Sequence, residues 1–378
     1  MMDSRIDSKI INEVLACAQC NYCRVCPAYQ IDGWESVSPR GKLYLMKAFL
    51  KNKLEMNTNV LKDFFKCTTC GLCENVCQTD IPLLKLWEEM RTNIVELREP
   101  LPAHRKFGEK ILAYGNPYGE DNSLREWLNE KLEGNSSTIF FAGCTASFKE
   151  RSIAEGSVRL LNHFDIEFSH LGRDELCCGS TLFRTGQRKA GEKMFEKNLK
   201  IFEKMGVERI ITSCAGCFRT FSIDYRKIAE EKRVDYDIEV YHITQILRDV
   251  MDNNVIGELD SIHEVVTYHD PCHLGRHSGV YDEPREIIKA IGFELVEMEH
   301  SRENSMCCGA GGGLRAQFKD LSINIARMRL KEAIDTGAKY LITSCPFCKR
   351  HLRSSNSFEI EVFDIVEILS QIMFQNPD

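Results

Sequence analysis

Short apolar runs recur along the second half of the chain, and each stops within a few residues of a cysteine. Thr138–Ala142 (TIFFA) leads to Cys144, Arg209–Thr212 to Cys214, Glu264–Tyr268 (EVVTY) to Cys272, and Tyr340–Thr343 to Cys345. Runs this short, rich in β-branched and aromatic residues, predict buried strands. Between them the pattern changes to a helical period. Gln187–Met205 sets Met194, Ile201 and Met205 near one face with Phe195, Leu199 and Phe202 beside them, while Lys193, Glu196, Lys197 and Lys200 alternate around the rest. Strands alternating with helices predict an α/β layer with a mostly parallel sheet. Ligands of such sheets sit at the carboxyl ends of the strands, where these cysteines would lie.

The same pattern occurs twice. Glu175–Gly179 reads ELCCG and Ser305–Gly309 reads SMCCG; Ile210–Cys217 reads IITSCAGC and Leu341–Cys348 reads LITSCPFC; Val240–Leu247 reads VYHITQIL and Val362–Leu369 reads VFDIVEIL. Each repeat spans about a hundred residues, a plausible domain. The expected organisation is a helical, ferredoxin-like N-terminal domain over 1–82, a helical connector over 83–134 with a turn at Asn116–Gly119, and repeats over 135–255 and 256–378. A facing pair related by an internal pseudo-twofold would bring the repeats together. The N-terminus and Gln375–Asp378 are expected to fray.

Composition adds one decisive fact. The 378 residues are ordinary in hydrophobic (43%) and charged (28%) content, but eighteen are cysteine. A net charge of −7 with no basic block argues against nucleic-acid binding. No apolar run is long enough for a membrane helix, and the charged segment Met1–Ile11 is unlike a secretory signal. The expected location is the cytoplasm, with attachment to a membrane partner left open. Disulfides are rare there, and a chain of this size needs none. Metal binding remains.

All eighteen cysteines fall into four groups. The first two are Cys17, Cys20, Cys23, Cys26 and Cys67, Cys70, Cys73, Cys77. A tight loop with cysteines three apart presents three thiolates to a cubane cluster, and the fourth reaches the other cluster of a pair. Crosswise sharing assigns Cys17, Cys20, Cys23 and Cys77 to one 4Fe–4S cubane and Cys67, Cys70, Cys73 and Cys26 to the other. Two features depart from the usual run: only two residues separate Cys23 from Cys26, and Gln78 rather than proline follows Cys77. Structural zinc is the competing reading, but zinc prefers two separated Cys-x2-Cys pairs.

The other two groups are Cys144, Cys177, Cys178, Cys214, Cys217 and Cys272, Cys307, Cys308, Cys345, Cys348. Each offers five thiols, one more than a cubane needs. Either one thiol is spare and reactive, or the cluster has an opened form with a bridging thiolate. Buried packing and a vicinal disulfide are the bland readings of each Cys-Cys pair.

The repeat resembles the cysteine-rich domain of heterodisulfide reductases and their relatives. The motifs that carry the resemblance are the Cys-Cys-Gly triplets, Ser38-Pro39-Arg40-Gly41, Asp270-Pro271-Cys272-His273, Cys307–Gly313 and Ser344–Cys348. The whole layout is similar to the D-type subunit of the methanogen enzyme, so the resemblance implies a place in methanogenesis. The iron–sulfur subunits of glycolate and lactate oxidases and of the thiol-dependent fumarate reductase share it. The resemblance implies a noncubane 4Fe–4S cluster held by all five cysteines of each group, and cleavage of the coenzyme M–coenzyme B disulfide between the two. Electrons would enter from a donor subunit: a flavoprotein, a hydrogenase or formate dehydrogenase-type complex, or a membrane cytochrome. The runner-up is an electron-transfer subunit of a flavin-dependent 2-hydroxyacid dehydrogenase. A zinc-stabilised interaction protein is the third reading.

Outside the cysteines, His269, Asp270, His273 and His277 surround Cys272. One histidine, with His273 the candidate, would deliver protons or hydrogen-bond a cluster sulfur; the alternative is a cap or turn role. Gly309 and Gly311–Gly313 do not follow a strand, so they do not fit a dinucleotide loop. Gly179 and Gly309 are instead expected to bring backbone close to a cluster, and Gly311–Gly313 to allow approach to a cluster or substrate.

Overall fold

The computed structural model describes residues 8–51, 53–54, 58–128, 136–251 and 264–374. The expected frays and the domain boundaries near 134 and 255 lie, wholly or in part, outside these residues. The chain forms two four-stranded parallel sheets behind a helical N-terminal part. The first sheet comprises β1 (Thr138–Phe141), β2 (Ser169–His170), β3 (Arg209–Thr212) and β4 (Glu239–His242), in the order β2-β1-β3-β4. The second comprises β5 (Val265–His269), β6 (Glu294–Leu295), β7 (Tyr340–Thr343) and β8 (Glu361–Asp364), in the order β6-β5-β7-β8. The strand order is the same in both repeats. The central pairs also share a register: Phe141 pairs with Thr212 in one sheet and His269 with Thr343 in the other.

Alternation along each strand sends one face to a core common to both sheets and the other to a separate layer. Phe140 and Ile211 of the first sheet and Val266, Tyr268 and Ile342 of the second share one buried cluster. Ile139, Phe141 and Ile210 face the other way, against Phe195, Phe202 and Phe221. The helices that close the shared core are exchanged between repeats. Arg151–His163, after β1, packs on Ile365–Phe374, after β8; Asp282–Ala290, after β5, packs on Ile243–Val250, after β4. Each repeat thus offers its partner the same two elements in reciprocal fashion, as an isologous twofold contact requires.

The long helix Arg188–Met205 is close to the expected span but is turned. Met205 is exposed, and Asn198 is buried in the seam. The Asn198 amide donates to the Cys177 carbonyl at 3.1 Å and to Tyr225 Oη at 2.9 Å, and Tyr225 donates to the Cys178 carbonyl at 3.0 Å. Those bonds make a polar residue the better choice for the seam.

The N-terminal part is helical, with Val14, Leu43, Met46, Phe64, Phe65 and Trp87 among its core residues. Ser38 caps the helix Pro39–Leu50, accepting from the Gly41 amide at 2.9 Å. Helices Leu83–Leu97 and Pro102–Tyr114 follow, and the Asn116 side-chain oxygen accepts from the Tyr118 and Glu120 amides in the turn beyond. No described helix is long and apolar enough to cross a membrane.

Candidate iron–sulfur centres

Cys214 lies two residues beyond β3 and Cys345 two beyond β7; Cys144 and Cys272 lie three beyond β1 and β5. The carboxyl ends of the strands therefore aim these cysteines, with Cys217 and Cys348 one helical turn on, at two places. The Cys-Cys pairs arrive on loops. Gly179 and Gly309 follow them at φ +86° and +87°, and their amides donate to Cys177 Sγ and Cys307 Sγ, each at 3.4 Å. A side chain at Gly309 would stand 2.5 Å from the Ser322 carbonyl, so only glycine fits.

The ten thiols form one unbroken file. In the first repeat neighbouring thiols run in the order Cys144–Cys177–Cys178–Cys217–Cys214. Cys214 then meets Cys345 of the second repeat, and the file continues through Cys348 and Cys308 to Cys307 and Cys272. Cys308 and Cys348 sulfurs are 3.4 Å apart. Cys214 and Cys345 are equivalent residues of the two motifs, so the file crosses the pseudo-twofold where like meets like.

Thiols packed this closely cannot all ionise on their own. Hydrogen bonds from Cys177 and Cys217 pull Cys178 down to about 6, while bonds with Cys307 and Cys348 and with Cys214 and Cys348 pull Cys308 and Cys345 well down. Their partners Cys217 and Cys348 are pushed well up, as is Cys272 beside Cys307. A cationic centre would let every one become a thiolate, and it is the soft thiolate that iron takes. None of the cysteines is in a disulfide.

In the N-terminal part, Cys26 lines one cavity together with Cys67, Cys70 and Cys73. The buried Lys42, whose ammonium donates to the Lys66 carbonyl at 3.1 Å, lines it too and lowers Cys26 against the stronger effect of burial. Burial, with Cys17, Cys20 and Cys26 nearby, raises Cys23 to about 11. Cys20 is exposed. Cys77 packs on the same helical core as Cys17 and Cys23, with Thr79 Oγ1 3.6 Å from its sulfur.

The second run is joined to the second repeat. Cys70 packs beside Cys307 in one buried cluster. The Cys70 carbonyl accepts from Arg276 Nη1 at 2.8 Å and lies 3.1 Å from His277 Nε2. Gly311 and Gly312 press on this loop: a Cβ would fall 2.6 Å from the Thr68 carbonyl and 2.3 Å from that of Cys67. The glycine run thus admits the N-terminal domain's backbone rather than a substrate. Arg91, fully buried, donates to the carbonyls of Phe64 and Cys67, of Arg184 in the first repeat and of Gly312 in the second.

The three histidines near Cys272 separate. His273 and His277 stack with centroids 4.7 Å apart. His273 Nδ1 comes within 3.8 Å of a Cβ built on Gly216, between Cys214 and Cys217, so it faces the other repeat. Burial, with Arg184 nearby, holds it near 4 and therefore neutral, and its Nε2 has no partner. A neutral ring keeps one N–H, which can donate a hydrogen bond toward the junction. His269 takes another direction, toward Cys308 and Cys348. Asp270 is paired with Arg285 at 2.7 Å and caps the Arg302 amide at 2.9 Å. In the first repeat, Glu175 accepts from the Ala142 and Gly143 amides at 2.9 Å and pairs with Arg125, which also donates to Cys144 Sγ at 3.6 Å. Sequence reading passed over Arg91, Arg125, Glu175 and Arg329, whose partners lie far along the chain.

This geometry defines a class: a cysteine-rich protein with two thiol-lined sites packed against a helical N-terminal part that carries two further cysteine runs. Comparison with known proteins agrees. The cysteine-rich domain family model matches residues 138–222 and 266–353, and the 4Fe-4S dicluster domain model matches 16–82. The chain belongs to the family of heterodisulfide reductase D subunits. It is 38% identical to the D subunit of the dihydromethanophenazine:CoB–CoM heterodisulfide reductase of Methanosarcina acetivorans, over 96% of this chain and 94% of that one. The Methanosarcina mazei protein of the same name is 36% identical over the same shares. EtfAB:quinone oxidoreductase of Syntrophomonas wolfei is 31% identical, over 81% of this chain and 46% of its own. The chain is thus an iron–sulfur electron-transfer protein with oxidoreductase relatives.

Proposed function

We propose that this chain is the catalytic iron–sulfur subunit of a disulfide reductase, and that a small disulfide is cleaved where the two repeats meet. The observation that carries the reading is the unbroken file of thiols crossing from one complete five-cysteine set to the other at Cys214 and Cys345. The donor sets fit four clusters. Cys17, Cys20, Cys23 and Cys77 would hold one cubane and Cys26, Cys67, Cys70 and Cys73 the second; each repeat's five cysteines would hold a noncubane cluster. Bound there, such clusters supply one-electron transfer and iron that accepts a thiolate.

The chain's own residues set the order. Exposed Cys20 marks the entry for electrons from a donor subunit. Contact of Cys70 with Cys307 makes the second repeat next in line, and contact of Cys345 with Cys214 leads to the first. Reduction takes two electrons and two protons, breaking one S–S bond and giving two thiols. Two sites side by side suit a reaction that needs one electron from each. Buried, neutral His273 faces this junction and hydrogen-bonds a released sulfur. The names of the Methanosarcina relatives favour the coenzyme M–coenzyme B heterodisulfide as substrate.

Anaerobically purified protein with reduced viologen and that heterodisulfide tests this. Thiols are expected to appear at steady state, and His273→Gln is expected to lower turnover about tenfold, about 1.4 kcal/mol of barrier, with iron content unchanged. Viologen that reduces the clusters without any thiol release would instead make the chain a conduit serving a flavoprotein.

A further inference from the structure

His269 ends β5 and is 1% exposed. Its Nδ1 accepts a hydrogen bond from Arg329 Nε at 3.1 Å. A guanidinium only donates, so Nδ1 carries the lone pair and the neutral ring keeps its hydrogen on Nε2. Arg329 cannot swing away: it also donates to Ser305 Oγ at 3.1 Å, to the His300 carbonyl at 2.8 Å and to Glu332 at 2.6 Å. Nε2, buried, has no hydrogen-bond partner. Yet a ring nitrogen lies within 4.8 Å of both Cys308 Sγ and Cys348 Sγ. With Nδ1 taken, the polar atom left for those sulfurs is Nε2–H.

The first repeat is built differently. Strand register makes Phe141 the counterpart of His269, since each pairs with the threonine two residues before the like cysteine. Phe141 is buried and has no donor. The sulfur contacted there is Cys144, which accepts from the charged Arg125.

We propose that His269 is a positioning residue whose Nε2–H becomes an N–H···S donor to the Cys308–Cys348 sulfurs when they hold a cluster, with its tautomer fixed by Arg329, and so makes the two repeat sites electronically unequal. The inference rests on the reading that each repeat holds a cluster. A donor on a cluster thiolate withdraws electron density and raises the reduction potential. The second-repeat site is then the one whose potential depends on a neutral donor. A ring nitrogen that carries hydrogen has no lone pair to give, so His269 is not an iron ligand.

The test uses the full chain loaded with its clusters and kept without oxygen. His269→Phe installs the first repeat's residue, and His269→Gln returns an amide N–H near the lost Nε2–H. In redox titrations followed by EPR, one centre is expected to shift to lower potential in the Phe variant and to recover at least in part in the Gln variant. The other centres are expected to stay, with iron per chain equal to wild type. Unmoved potentials in the Phe variant would overturn the proposal. On wild type alone, with histidine labelled with ¹⁵N, the expected result is a weak nitrogen coupling and an exchangeable proton lost in D₂O. A strong directly bonded nitrogen coupling would overturn it by making His269 a ligand. Failure of the cluster reading looks different: wild-type protein would then lack the iron and the repeat-site signals altogether.

Discussion

A guanidinium with no carboxylate in hydrogen-bond reach is an expensive thing to bury, and Arg91 shows how the cost is met. Its donors go to four carbonyls drawn from the N-terminal part and from both repeats. Planar, forked donors can do this; the single ammonium of lysine cannot. Arg91→Met would strip partners from four buried carbonyls, each worth about 1–3 kcal/mol when orphaned. Relief from burying the charge offsets part, and a net loss of about 3 kcal/mol is expected as a lower anaerobic urea midpoint. Arg91→Lys should rescue little of it. An unchanged midpoint would mean that the three parts are held together elsewhere. The cysteines were legible one by one, because ligand spacing within a run is local. Arg91, Glu175 and the Arg329–His269 pair were not, because their meaning lies in partners tens to hundreds of residues away. His273 was half legible: its place beside Cys272 suggested a role, but only the fold turns it toward Gly216 of the other repeat.

Elements tell a similar story. The four strands that run into cysteines could be read from apolar runs, since burial on both faces removes polar alternation. The edge strands β2 and β6, two residues each, leave no periodic signal at all. The helix over 188–205 was legible in span but not in facing, because the buried Asn198 breaks an apolar seam to hold the Cys-Cys backbone. Where the exchanged helices pack, Gly156 permits a close approach: an added Cβ would stand 3.2 Å from Ser370 Cβ and 3.3 Å from Val366 Cγ1. Alanine there brings a small contact penalty against a helix-propensity gain of up to about 1 kcal/mol, so Gly156→Ala is expected to be near neutral. Gly156→Leu overpacks the contact, and a loss of about 1–3 kcal/mol is expected in the same urea measurement. Equal midpoints for the two variants would show that these helices are not held at that distance.

Over the whole molecule, the repeat announced two like domains but not how they meet. Facing requires a common core, and the same apolar runs would serve a sheet buried alone. Once the exchanged helices set the twofold, Cys214 and Cys345 are brought together, and the file of thiols follows. At the other end, Gly311 and Gly312 let the Cys67–Cys70 loop press against the second repeat. The thiols are thus arranged from the N-terminal runs to the second repeat to the first, which is the order of the proposed electron path. Its central claim is that both repeats hold clusters and meet a substrate sulfur. The most direct measurement is EPR of the anaerobic, iron-counted protein, oxidised with and without coenzyme M or coenzyme B thiol. About sixteen irons per chain, as four 4Fe–4S clusters require, and a paramagnetic signal that appears only with thiol are expected. About half that iron, or a full complement that no thiol alters, would contradict the account.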